Sequence, residues 1–347
     1  VETLEDLIKE IRSYGTSIII ADQSPTSVGK EIVANTDVKI MNLGKSSKLT
    51  NLEVSGCRML TTLDVSKLRS LEYLTLANSG IRGINLDSCY NLKQVKIENC
   101  PLMSMEFGTN PALTSVTIKN SDLESINFGR SNSISMIELS GEKLASIDTS
   151  GLTVLDSLSV SGAPMSAINL SSNSSLTYLK FTNSKITSLD LGKNTKLQVL
   201  KCDSPKMSFL NISTNTAISE LDIAGSGIHT LNISSNAYLM DTYNQGTPVT
   251  TDGITQYTHY PNNLGYSSIK CNEGTTFATS NVTGVEGFAE RLYTTCLGRA
   301  SEVEGRDYWA SCLKSGMSGA EVAKGFFFSP EIAALQLDDV EFITRLY

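Results

Sequence analysis

The sequence from Ile186 to Lys201, ITSLDLGKNTKLQVLK, contains two copies of one apolar pattern and decides the fold. Apolar residues stand at Ile186, Leu189 and Leu191, and the same spacing begins again at Leu197. Within each copy, apolar and polar residues alternate over the last positions, which is typical of a strand that buries one face. Each copy therefore predicts one short strand.

Both copies recur every 21 residues, so the chain contains an internal repeat. The first strand of each repeat begins at Leu71, Leu92, Leu113, Ile134, Leu155, Leu176, Leu197 and Ile218, with a further copy at Leu49 and a degenerate one at Leu239. The second strand begins at Val38, Leu60, Ile81, Leu102, Leu123, Leu144, Met165, Ile186, Met207 and Ile228. A single unit cannot close a core, but stacked coils cover each other's apolar edges. We therefore predict a β-rich leucine-rich-repeat solenoid over residues 38–240, with parallel strands in a curved, right-handed coil.

Units such as Ile186–Lys201 resemble the bacterial 21-residue leucine-rich repeat, in which two leucine motifs are nested in each coil. That class is related to internalin-like surface proteins. The resemblance implies a secreted or cell-surface attached, extracellular protein that binds a macromolecular partner in the manner of an adhesin. A protein of a host or of a bacterial surface is the expected partner. A glycan ligand and a structural envelope spacer without a specific ligand are the alternatives.

The outward positions of the second strand are nearly uniform from coil to coil. The fifth position holds Asp64, Asn85, Glu106, Asn127, Asp148, Asn169, Asp190, Asn211 and Asn232. Such a column suggests a calcium ladder, since Ca²⁺ takes several oxygen ligands. However, Asn residues separate the acids, so we expect a hydrogen-bonding ladder of Asn and Asp side chains and no metal site.

The outward positions of the first strand vary freely, and variation permits recognition. We therefore assign the first strands to the concave face and expect the binding surface there. Two sets combine tyrosine with long cations, a frequent pairing at interfaces. The ligand-binding residues predicted from these sets are Tyr178, Lys180, Gln198, Val199 and Lys201, together with Tyr73, Lys93, Gln94 and Lys96. The alternative is that these are ordinary solvated strand positions.

The cysteines follow the repeat. Cys57, Cys89 and Cys100 stand at a turn position that Asn, Ser or Pro occupies in other coils, where the side chain bonds exposed backbone groups. A thiol serves there as a weak donor. Cys202 takes a core-facing position as a small hydrophobic residue. We therefore expect free thiols, and a reducing habitat for an exported protein.

Beyond the repeat, the two ends differ in composition. Residues 1–37 predict an N-terminal cap of a short amphipathic helix and a strand, because terminal coils would otherwise expose apolar edges. Residues 241–280 are rich in Thr, Asn, Gly and Tyr and predict irregular strands that form a C-terminal cap and linker. From residue 281 the pattern becomes helical.

A small all-α domain is predicted over residues 281–347. Helices are expected to end near Gly298 and Gly316, and Ser318 with Glu321 forms a capping box. The sequence from Phe288 onward resembles an uncharacterised helical domain of bacterial secreted and surface proteins, distantly similar to phycobilisome linker domains. That family assigns no activity, so no functional residues follow from it.

Composition excludes several other functions. A formal charge of −8 across 347 residues argues against nucleic-acid binding, which needs a basic face. No apolar run is long enough to span a membrane. His229 and His259 lie near no nucleophile motif or ligand cluster. We therefore expect no enzyme activity, no catalytic residues and no cofactor.

Overall fold

The computed structural model describes residues 21–22, 40–42, 49–141, 143–259, 266–279, 284–299, 301–338, 340 and 342–343. The chain divides into two compact units, Val1–Pro164 and Met165–Tyr347, and each is described by itself. The cap predicted over residues 1–37 lies outside the described residues except for the strand Ala21–Asp22.

The first unit is built from short strands, and some of its coils contain two. In chain order they are Ala21–Asp22 (β1), Ile40–Asn42 (β2), Asn51–Ser55 (β3), Thr62–Asp64 (β4), Tyr73–Ala77 (β5), Gln94–Glu98 (β6), Ser104–Glu106 (β7), Ser115–Lys119 (β8), Ser125–Asn127 (β9), Met136–Ser140 (β10) and Ser157–Ser161 (β11). The first strands of the coils form one sheet in the order β1-β3-β5-β6-β8-β10-β11. All neighbours in it are parallel except β1 with β3.

The register of this sheet follows the repeat. Tyr73 pairs with Gln94, and Gln94 pairs with Ser115, so paired residues are 21 positions apart. Inward side chains such as Leu74 and Leu76 are at most 1% exposed, while their neighbours in the strand face outward. Second strands pair in the same direction, as β2 does with β4 and β7 with β9. The predicted solenoid of parallel strands is thus confirmed.

The second unit continues the same architecture and then departs from it. Its strands are Tyr178–Thr182 (β12), Val199–Cys202 (β13), Glu220–Asp222 (β14), Thr230–Asn232 (β15), Thr247–Thr251 (β16), Ile254–His259 (β17), Ser267–Asn272 (β18) and Thr276–Ala278 (β19). Strands β12, β13, β14 and β18 are parallel neighbours, and β17 and β16 follow them in antiparallel order.

The coil after β15 is interrupted by a helix and a hairpin. The degenerate repeat at Leu239 suggests a strand, but the chain forms helix α1, Ala237–Gln245. Leu239 lies on the buried face of this helix and is fully buried. Asn236 makes this helix possible because its side chain accepts the Leu239 amide hydrogen at 3.0 Å and caps the helix. Strand β18 then takes the next place in the sheet, pairing Ser268 with Glu220, so parallel pairing continues beyond residue 240.

The C-terminal residues form a small helical region, as predicted. It contains Gly284–Leu292 (α2), a π-helical turn at Tyr293–Leu297, Val303–Lys314 (α3), Gly319–Phe327 (α4) and Pro330–Ala334 (α5). Gly298 ends the π-helical turn with φ of 68°, and Ser318 and Glu321 form the expected capping box. Tyr293 and Phe326 meet edge to face at 4.8 Å in its core. Of the helices in the described part of the chain, none combines the length and apolar character that crossing a bilayer requires.

Candidate functional site

The Tyr73 patch comprises Tyr73, Lys93, Gln94 and Lys96. These side chains lie on the face of the first unit's sheet that points away from the core. Tyr73 and Gln94 begin β5 and β6 and are paired in register, and the tyrosine side chain is 40% exposed. Lys93 precedes β6 and Lys96 lies within it. The structure therefore brings all four predicted residues together on two adjacent coils.

Carboxylates that the sequence prediction did not include neutralise this patch. Lys93 Nζ lies 2.8 Å from Glu72 Oε2, and Lys96 Nζ lies 3.2 Å from Glu98 Oε2. The hydrogen bond that Lys93 donates to Glu72 raises the pKa of Lys93 above its usual value. Glu72 and Lys93 occupy the same repeat position one coil apart, so the repeat alignment contained the signal for this pair.

The Tyr178 patch comprises Tyr178, Lys180, Gln198, Val199 and Lys201 in the second unit. Tyr178 pairs with Val199, and Lys180 pairs with Lys201 directly across β12 and β13. The strand alternation buries the residues between them, so these side chains share the outer face. Gln198 lies just before β13 and is exposed. All five predicted residues are thus neighbours on one surface.

The two lysines of the Tyr178 patch differ in their partners. Lys201 Nζ lies 2.5 Å from Glu220 Oε1. Burial acts to lower the pKa of Lys201, but the hydrogen bond and charge of Glu220 outweigh it, and the pKa is raised. Lys180 has no carboxylate within ion-pair distance among the described residues, and it faces a like charge across the strands. Lys180 is therefore the cation of this patch that remains available for a partner's carboxylate.

The second-strand column serves the backbone of its own coil. Each side-chain oxygen accepts the amide hydrogen two residues further on, at 2.8–3.0 Å for Asp64, Asn85, Asn127, Asp148, Asn169, Asp190, Asn211 and Asn232. These are Asx turns, which satisfy backbone groups where the strand ends. Each of these bonds lies within one coil, and the ladder expected between the side chains of this column stays a prediction.

Amide ladders between coils occur at two other positions. On the surface, Asn120 Nδ2 donates to Asn99 Oδ1 at 2.9 Å, and Asn99 Nδ2 donates to Asn78 Oδ1 at 3.0 Å. Inside, buried asparagines donate to main-chain carbonyls of the preceding coil, as Asn194 Nδ2 does to Asn173 O at 2.9 Å. Cys89 stands at the same repeat position as these buried asparagines, which we call the inner column, and its Sγ lies 3.8 Å from Val65 O. This confirms the expectation that a thiol can stand in for the amide donor.

The cysteines of the described residues are free. Burial raises the pKa of Cys89 to about 11 and that of Cys202 to about 12, with nearby aspartates contributing at Cys202. Both thiols therefore remain protonated at neutral pH and serve as packing and hydrogen-bonding groups, since the thiolate is the reactive form.

Acid sensitivity is expected at the Asx turns that use aspartate. The hydrogen bonds from Ser150, first from its amide and then from its hydroxyl, hold the pKa of Asp148 below its usual value. A lowered folded-state pKa adds stability that is present above the unfolded value of about 3.9 and is lost as the pH falls through the folded value. Asp148→Asn keeps the acceptor, as Asn127 and Asn169 do at this position in neighbouring repeats.

We therefore expect Asp148→Asn to unfold like the native sequence at pH 7 and to lose less stability between pH 5 and pH 2. The measurement is urea denaturation at a series of pH values. Parallel loss in both proteins would show that the Asp148 turn does not contribute to acid unfolding.

Possible metal ligands do not cluster in the described residues. Those residues contain no group of three or more His, Cys, Asp or Glu side chains that could hold a metal ion. His259 Nε2 lies 3.3 Å from Asp241 Oδ2, at the partly exposed surface of the hairpin and helix α1. His229 is exposed at an outward position beside the second strand β15.

Comparisons with solved structures identify the class of fold. The functional domain of InlJ from Listeria monocytogenes, described as including a cysteine ladder, matches with a TM-score of 0.53 and 21% identity, over 58% of this chain and 45% of that chain. An internalin (InlF) from the same species matches with a TM-score of 0.34 and 16% identity, over 55% of this chain and 75% of that chain. The parallel-strand topology and the InlJ match show that the fold is a leucine-rich-repeat solenoid. This chain corresponds to less than half the length of the InlJ structure.

The C-terminal part matches a separate family. Residues 272–336 match a family described as a domain of unknown function, DUF4214. The match begins at the end of β18 and includes β19 and helices α2 to α5. No curated protein is significantly similar in sequence to this chain.

Proposed function

We propose that this protein is a non-enzymatic interaction module, secreted or attached to a bacterial surface, that binds a protein partner through its first-strand sheet. The internalin-like fold supports a module of this general kind. Residues 281–347 would then space or tether the solenoid. The site and the partner come from the side chains on the sheet.

The difference between the two strands of each coil carries this proposal. One oxygen of each second-strand Asn or Asp accepts an amide hydrogen of its own coil, which fixes these side chains against the backbone. First-strand side chains instead pair with each other at the surface, as Lys93 does with Glu72. Exposed ion pairs of this kind add little to stability, with a median of about 0–1 kcal/mol. They can therefore exchange partners at small cost.

Within the sheet, the Tyr178 patch fits a partner that presents an acidic side chain beside an apolar one. Lys180 supplies the cation that lacks a carboxylate among the described residues, and Val199 and Tyr178 supply adjacent apolar area. Tyrosine offers contact area and a hydrogen bond with little loss of rotational freedom, and it is enriched at interfaces. An acidic partner would also relieve the repulsion between Lys180 and Lys201.

The patch is tested by a charge reversal with a matched control. In Tyr178→Ala/Lys180→Glu, binding to immobilised host-matrix and bacterial surface proteins should weaken about tenfold or more, since the loss of an interfacial charge pair costs several kcal/mol. Lys193→Glu/Lys196→Glu changes the charge at exposed positions in the turn before β13 and should bind as the native sequence does. Binding is measured by surface plasmon resonance.

The same variants separate the alternatives. The glycan alternative rests on the partly exposed Tyr73 and Tyr178 rings, and a glycan array would show loss of a sugar signal in the Tyr178 variant. Equal binding by both variants and the native sequence would contradict the assigned patch. Protease shaving of intact cells tests the location, because recovery of repeat peptides before lysis requires an extracellular solenoid.

A further inference from the structure

The sheet of the second unit ends in a hairpin with an open edge. Strand β16 pairs with β17 on one side, and no strand of the described residues pairs with its other side. All five residues of β16 are exposed, Val249 to 63%, and none of them is charged. Open edges of this kind attract extended chains, and proteins usually protect them with charge, proline or a covering segment.

The turn determines which backbone groups point outward. Asp252 and Gly253 have φ of 51° and 74°, so they form a two-residue turn of type I′. The closing pair, Thr251 with Ile254, exchanges hydrogen bonds, and bonded pairs then alternate along the ladder. The Glu273 amide donates to Gly253 O at 2.7 Å from the β18 side, which agrees with this alternation. Consequently, Pro248 and Thr250 direct their backbone groups toward the open edge.

Two copies of this edge are nearly complementary. If two β16 strands meet antiparallel about a twofold axis at Val249, residue 248 of each copy faces residue 250 of the other. Such an arrangement would form four backbone hydrogen bonds in two symmetric pairs. Pro248 has no N–H, so two of the four bonds cannot form, and its ring faces the Thr250 carbonyl of the other copy.

We propose that Pro248 keeps the β16 edge closed to pairing with a second copy of this chain. The proline occupies an outward-facing position, where it protects the edge without removing a bond to β17. The strand β16 has no charged residue that would repel a second copy. The missing N–H of Pro248 is therefore what prevents self-pairing. Within the second unit, β16 is separated from the Tyr178 patch strands β12 and β13 by β14, β18 and β17.

The proposal predicts that Pro248→Thr and Pro248→Val will dimerise. Restoring two backbone bonds, each with a modest net contribution, should tighten self-association by about thirtyfold. Sedimentation equilibrium of the full chain measures this directly. Hydrogen exchange should then slow at the Thr250 amide in the dimer.

Two controls distinguish pairing at the β16 edge from nonspecific hydrophobic association. Thr250→Val adds apolar surface without adding an N–H, and should associate no more than the native sequence. Pro248→Thr/Thr250→Pro moves the proline to the other outward position and should remain monomeric. Monomeric, folded Pro248→Thr and Pro248→Val at millimolar concentration would overturn the proposal. Dimerisation of the moved-proline variant through the same edge would also overturn it.

Discussion

Gly129→Ala should destabilise the first unit by about 3–5 kcal/mol, at the upper end of single-residue effects. Gly129 has φ of +57°, which alone costs an alanine about 1–2 kcal/mol. An added Cβ would also lie 1.9 Å from Phe107 O and 2.3 Å from Gly108 O. These are main-chain atoms of the preceding coil, so they cannot move aside as a flexible side chain would. Urea denaturation followed by circular dichroism measures the loss.

Gly162→Ala is the matched control. Gly162 has a similar φ of +71°, but no heavy atom lies within 4 Å of its added Cβ. We expect a loss of about 1–2 kcal/mol there, from backbone conformation alone. The difference between the two variants then measures how closely the coils approach at Gly129. Equal losses would show that the coil before Gly129 moves away at little cost.

The fold class was predictable because the repeat leaves few alternatives. An apolar triplet that returns every 21 residues buries Leu74, Val95, Val116 and Ile137 at corresponding places in consecutive strands, and each is at most 1% exposed. Once one coil is placed, the register of the next follows. The helix caps of the C-terminal region were predictable for a local reason, because the Ser318 capping box lies within four residues.

The interruption after β15 was not predictable from the same pattern. The apolar spacing at Leu239 fits a strand, but Asn236 before it is also a good helix N-cap. In other coils the equivalent asparagine donates into the stack, and Asn236 does so too, at 3.0 Å from Asn215 O. The Asn236 side chain thus caps helix α1 and also donates to the preceding coil. The residues after Asn236 determine whether a strand or a helix follows.

The residues of the predicted site are neighbours in the structure, but the carboxylates that pair with its lysines were not predicted. Alternation along a strand identifies outward residues, so the Tyr73 and Tyr178 patches each form a contiguous surface. The pairing of Lys201 with Glu220 was missed because these residues are not in register and meet diagonally between β13 and β14. Their contact depends on side-chain conformations that the repeat does not specify. Whether a partner binds there remains a prediction.

Asn194→Ala should destabilise the second unit by about 2–4 kcal/mol. The Asn194 side chain is fully buried, and its Nδ2 donates to Leu170 O at 3.1 Å and to Asn173 O at 2.9 Å. Alanine would remove both bonds, leave carbonyl groups underbonded in a dry core and create a small cavity. Thermal and urea denaturation should both report the loss.

Asn194→Cys tests whether the inner column requires an amide or only a donor. Asn194 Oδ1 is buried without a hydrogen-bond partner in the described structure, so the amide acts here as a donor alone. A thiol donates weakly in the same direction, as Cys89 does toward Val65 O. Cysteine should therefore recover about half of the loss seen with alanine, since it restores one weak bond and part of the volume. If cysteine is no more stable than alanine, the donor explanation fails, and the geometry of the amide is what the stack of coils requires.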